Sequence, residues 1–134
     1  MVKNNNTEQL ILETAGNVFL TRGFDGTRMQ EIADEAGINK ALVHYYFRNK
    51  EKLFGAVLNA TFREVGARVF EFVNAPVSLE VKIGKIVEAY IEIIKTKPRL
   101  PLFVINEVNV NPERILKYLN FHEFFDIYLF GLRQ

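Results

Sequence analysis

The chain has 134 residues, 49% of them hydrophobic, and no cysteine, so it can bury one core and holds neither disulfides nor thiolate metal sites. Its 17 Lys and Arg nearly balance 16 Asp and Glu, so no overall charge draws it to a polyanion. The start, "MVKNNNTEQL", shows no apolar run of signal-peptide type, and the uninterrupted apolar stretches, such as Leu102 to Ile105, are far short of a membrane span.

In chain order, nearly every segment has helical periodicity. In "TEQLILETAGNVFLTRGF", Ile11, Ala15, Val18 and Phe19 recur at helical spacing, with Thr7 the expected N-cap and Gly23 the stop. "DGTRMQEIADEAG" follows, with Thr27 and Gln30 at capping-box spacing ahead of Met29, Ile32, Ala33 and Ala36 on one face. After Gly37 comes a short helix whose inner side is Ile38, Val43 and Phe47 and whose cap is Asn39. Asn49 caps a fourth helix that carries Leu53, Val57, Leu58, Phe62, Val65 and Val69 to about Val73. "NAPV" breaks it, and Ser78 starts a helix with Val81, Val87, Tyr90, Ile91 and Ile94. Pro98 and Pro101 punctuate the next stretch, and Asn111-Pro112 opens a final helix. The expectation is an all-α fold without strands or repeats.

That final helix is expected to run to the last residue with Phe121, Phe124, Phe125, Ile127, Tyr128, Leu129 and Phe130 along it. So much apolar surface needs a cover. Either a partner chain supplies it or the sequence stops short of a longer native chain, and the second is the expectation here.

Charge is neutral as a whole over residues 1–54 but uneven locally. Lys40, Arg48, Lys50 and Lys52 are opposed only by Glu51, whereas Asp25, Glu31, Asp34 and Glu35 precede them with Arg28 alone. A cationic stripe beside an acidic one suits an oriented polyanion contact, and equally an ordinary solvated face. Two short helices joined at Glu35-Ala36-Gly37, the second short and cationic, have the helix-turn-helix arrangement. With Ile38, Val43 and Phe47 turned inward, Lys40, Ala41, Leu42, His44 and Tyr45 face out.

The stretch "GFDGTRMQEIADEAGINKALVHYYFRNKEKLF" resembles the DNA-binding domain of the tetracycline-repressor (TetR-like) family. Gly23-Phe24, Thr27, Ile32-Ala33, Ala36-Gly37-Ile38, Lys40, the aromatic run ending in Phe47, Asn49-Lys50-Glu51 and Leu53 carry the likeness over residues 8–54. It implies a three-helix helix-turn-helix domain over residues 1–49, then a helical effector-binding and dimerisation domain over 50–134, incomplete at its C-terminus. In the family, positions matching Lys40, Ala41, Leu42 and His44 approach base edges. Those matching Tyr45, Tyr46 and Lys50, with Thr27, Arg28 and Gln30, hold phosphates. The chemistry suits this, since Tyr and Lys bond phosphate oxygens and Ala or Leu packs on a thymine methyl. Asn39 stands at a helix start whose free N–H groups also favour an anion. Family members usually carry Tyr where this chain has His44 and a small polar residue at Leu42, so no operator can be carried over.

The same resemblance implies a cytoplasmic homodimer, a repressor on a palindromic double-stranded DNA operator, released by a small apolar effector. The effector pocket is expected among side chains such as Phe70, Tyr90, Ile94, Phe103 and Phe121. Neither an enzyme nor a cofactor is expected, because no Ser-His, Cys-His or phosphate-cradling Gly motif is present. His44 and His122 are 78 positions apart in a chain without Cys, so no metal is expected. The rival reading is a helical protein-interaction module that keeps the fold without ligand-controlled DNA binding.

Overall fold

The computed structural model describes residues 4–118, and within them there are seven helices and no strand. They are α1 (Asn5–Arg22), α2 (Met29–Ala36), α3 (Lys40–Tyr46), α4 (Lys50–Asn74), α5 (Leu79–Thr96), α6 (Leu100–Val110) and α7 (Pro112–Tyr118). The expected extension of the last helix and Phe121 lie outside the described residues.

Local chemistry sets most boundaries. The Asn39 side chain accepts from the Ala41 N–H at 3.0 Å, Asn49 from the Lys52 N–H at 2.8 Å, and Ser78 from the Val81 N–H at 3.4 Å. Helix α1 starts earlier than its periodicity suggests: its cap is Asn4, which accepts from Asn6, not Thr7. The expected Thr27–Gln30 capping box is also corrected. Helix α2 starts at Met29, and Glu31 accepts the Arg28 N–H at 3.2 Å; a guanidinium has no lone pair to return the bond, so only half a box exists. Pro98 and Pro101 do not keep the chain from a helix, because Pro101 sits in the first turn of α6, where no N–H is needed.

One core joins α1, α2, α3 and the first turns of α4. Ile11, Ala15, Phe19, Ile32, Ala33, Val43, Leu53 and Phe54 are fully buried within it. Phe103 of α6 reaches the same core, its ring 6.0 Å from that of Phe54. Phe54 also meets Phe19 and Phe24 edge to face, each at 5.0 Å, and Tyr118 of α7 at 6.2 Å. Gly55 allows α7 this close, since a Cβ there would overlap the Tyr118 ring.

Helix α5 differs. It forms as expected but buries no residue against the described part of the chain, and Val81, Val87, Tyr90, Ile91 and Ile94 are all exposed. It leans on α4, to which the Lys82 ammonium adds a bond to the Val73 carbonyl at 2.7 Å.

Candidate nucleic-acid interface

The turn between α2 and α3 is built for a tight reversal. Gly37 has φ 68° and ψ 30°, the left-handed region that side chains resist. Its N–H reaches Ala33 and Asp34, and the Ile38 N–H returns to the Ala33 carbonyl at 3.1 Å, which closes a Schellman motif. Helix α3 therefore leaves α2 at a fixed angle, with Val43 in the core and Ile38 and Phe47 beside it.

Lys40, Ala41, His44 and Tyr45 are exposed on α3, whereas Leu42 is half-buried. Among the described residues no carboxylate pairs with Lys40, Arg28 or Arg48, so three exposed cations stand unneutralised around this helix. Arg48, which belongs to the cationic stripe in sequence but is not among the expected contacts, is exposed just after α3. Gln30 is exposed and donates to Asp34 at 2.8 Å. Asn39 uses its carbonyl as the cap and keeps its amide NH₂. His44 Nδ1 lies 3.2 Å from the Arg48 carbonyl, which can only accept, so that nitrogen carries the proton. In the neutral ring Nε2 is then an acceptor.

Three expected phosphate ligands are otherwise engaged. Thr27 is buried, and its hydroxyl donates to the Gly23 carbonyl at 2.7 Å, so its side chain faces inward and not a partner. The Lys50 ammonium donates to the carbonyls of Phe24 at 2.8 Å and Thr27 at 3.0 Å and lies 4.3 Å from the centre of the Phe24 ring. It organises the corner between α1 and α2. The Tyr46 hydroxyl accepts the Asn4 N–H at 2.6 Å while its ring packs on the core, leaving only the hydroxyl proton to offer. The three consecutive rings thus divide, with His44 and Tyr45 outside and Tyr46 stapling α3 to the start of α1.

The description "Bacterial regulatory proteins, tetR family" matches residues 11–57, which span this whole unit. The match to the tetR family covers the N-terminal region of this chain and not the rest of it. Similar curated proteins include the HTH-type transcriptional repressor NicS of Pseudomonas putida, 39% identical over 66 residues, 47% of this chain and 31% of that protein. The HTH-type transcriptional regulator RutR of Escherichia coli (strain K12) is 45% identical over 51 residues, 38% of this chain and 24% of that protein. "Probable HTH-type transcriptional regulator YttP" of Bacillus subtilis is 26% identical over 129 residues, 94% of this chain and 62% of that protein. The chain spans less than two thirds of the length of each. The likeness in fold goes beyond the tetR-type region: the fatty acid degradation regulator FadR of Bacillus halodurans superposes over 96% of this chain and 65% of that one, with a TM-score of 0.74 at 21% identity.

Of the residues expected around an effector, Phe103 lines an open groove of about 390 Å³ between α1, α4 and α6. Phe70 is half-buried on α4, Tyr90 and Ile94 are exposed on α5, and none of the three lines that groove. Among the described residues there is no cluster of His, Asp or Glu able to hold a metal, and no helix long and apolar enough to cross a membrane.

Proposed function

We propose that the chain is a transcriptional regulator that binds double-stranded DNA, with α3 as the helix that enters the major groove. The observation that carries this is the outer face of α3. Lys40, Ala41, His44 and Tyr45 are exposed there, beside Arg28 and Arg48, on a tetR-type scaffold that fixes their direction. None of these three cations has an acidic partner among the described residues. A short helix held by a rigid turn, with its first residues free, is how a helix-turn-helix reads base edges. Lys40 takes a guanine edge, and His44 turns Nε2 to a neighbouring base edge. Arg28, Arg48, Gln30, Asn39 and the Tyr45 hydroxyl take phosphates.

On this reading residues 1–49 bind DNA and residues 50–134 begin an effector-binding and dimerisation domain. The whole protein is then a cytoplasmic homodimeric repressor on a palindromic operator, without catalytic activity of its own. The exposed apolar face of α5, with Tyr90 and Ile94, and Phe70 on α4, offers surface for a small apolar effector. NicS, named a repressor, supports the sign of the regulation.

The test is selection of bound sequences from random duplex DNA, followed by Lys40→Ala. The variant is expected to relax preference at one base pair by about 1–3 kcal/mol, while affinity for random duplex falls much less. Equal loss on selected and random duplexes would remove Lys40 from base reading, and salt-independent binding by the parent chain would remove the DNA-binding reading altogether.

A further inference from the structure

The corner between α1 and α2 is held from the second half of the chain, with Glu107 and Arg114 at its centre and Arg99 adding a bond to the Thr21 hydroxyl at 3.0 Å. The backbone N–H of Phe24 donates to Oε1 of Glu107 on α6 at 3.0 Å, and the other carboxylate oxygen accepts from Arg114 on α7 at 3.3 Å. The Arg114 guanidinium lies 3.8 Å from the centre of the Phe24 ring and reaches Asp25 at 3.5 Å. From the other side Lys50 takes the Phe24 carbonyl and also lies near its ring, at 4.3 Å. Phe24 thus has its N–H, its carbonyl and its ring all engaged by charged side chains. Glu107 is 5% exposed, one of two buried polar or charged residues among those described. A buried carboxylate is tolerated only when its lone pairs are met, and here both partners belong to this junction.

We propose that Glu107 and Arg114 form a latch through which α6 and α7 set the orientation of the DNA-reading unit. Glu107 fixes Phe24, Lys50 ties Phe24 to Thr27, and Thr27 bonds back to Gly23 one turn before α2 begins. Helix α3 rests on α2, so a displacement at α6 is passed to the start of α2 along bonded groups and from there to α3 by packing, beside the apolar contact that Phe103 makes with the core. Gly23 belongs to the device. Its φ of 71° suits glycine, and a Cβ there would sit 3.3 Å from Glu107 Oε1, tight against the latch. Leu100, Phe103 and Val104 of the same α6 line the open groove against α1 and α4, so whatever moves α6 there works the latch. This inference rests on the DNA-binding reading above.

The chain has no native cysteine, so labels at Glu35→Cys and Asn109→Cys, both exposed and outside the proposed DNA contacts, report the distance between the reading unit and α6 without background. Glu107→Gln, Arg114→Gln and the double variant are compared with the parent in this labelled form and in binding to the selected duplex. The latch predicts a narrow label distance in the parent that broadens in all three variants at full helicity by circular dichroism. It also predicts a loss of roughly five- to twenty-fold in DNA affinity, no larger in the double variant than in either single one. Unchanged affinity and distance, or losses that multiply in the double variant, overturn it. A variant that only lowers the unfolding midpoint while binding DNA normally when folded also overturns it. Failure of the parent to bind any duplex is a different result, which sinks the regulator reading first and the latch with it.

Discussion

The two ends of α4 sit in opposite surroundings. Its first turns place Leu53 and Phe54 at full burial among α1, α2 and α3, whereas α5, packed on its far part, only half-buries residues such as Ala89 and Ile93 against the described chain. Helix α5 is the more apolar of the two in sequence, so hydrophobic content alone does not decide which segment makes a core. What differs is closure. The first region has three helices whose turns bring their apolar sides to one point, whereas among the described residues α5 packs chiefly on α4 and has an apolar face left over. Residues 53 and 54 therefore serve stability, while residues such as Tyr90 and Ile94 are available to something else.

The comparison breaks most visibly at Phe54. Phe54→Ala removes a ring that touches Phe19, Phe24, Phe103 and Tyr118, and should cost about 3–5 kcal/mol in denaturant unfolding. A cost below about 1 kcal/mol would mean that this core is not the one that holds the fold. Lys50→Ala comes next, since it deletes two bonds from a charged donor to carbonyls, worth about 1.5–3 kcal/mol in all at this half-buried site. Its effect should appear in unfolding, with the salt dependence of DNA binding unchanged; a slope reduced by about 0.9 would return Lys50 to the phosphates. Smallest is Ile91→Ser on α5, expected to change stability by less than about 0.5 kcal/mol. If it costs as much as a core substitution, another part of the protein covers α5.

Features governed by neighbours in sequence were legible before the fold. Asn39, Asn49 and Ser78 cap their helices because a cap needs only its own side chain and an N–H two or three residues on. Gly37 was legible for the same reason. Thr27 misled because its spacing to Gln30 imitates a capping box, while α2 starts one residue later with Arg28 at the cap position, and the Thr27 hydroxyl donates to the Gly23 carbonyl. Lys50 and Tyr46 were expected to hold phosphates, and their engagements within the fold depend on Phe24 and Asn4 returning in space, which sequence does not show. Phe103 carries no mark in sequence that distinguishes core from pocket, and it belongs to the core while flooring a groove. Glu107 and Phe24 are 83 positions apart, and no local pattern announces such a pair.

Helix α4 runs unbroken for 25 residues, about 37 Å, with its start sealed into the first core. An isolated helix must overcome a nucleation factor of about 10⁻³ before it can lengthen. Here Asn49, Leu53 and Phe54 already fix the first turns, so the rest of α4 can grow by propagation from a seed that the N-terminal region provides. During synthesis that region emerges first. The order of folding is then written into the order of the chain: the DNA-reading unit sets, α4 extends from it like a mast, and the later helices assemble along a surface that already exists.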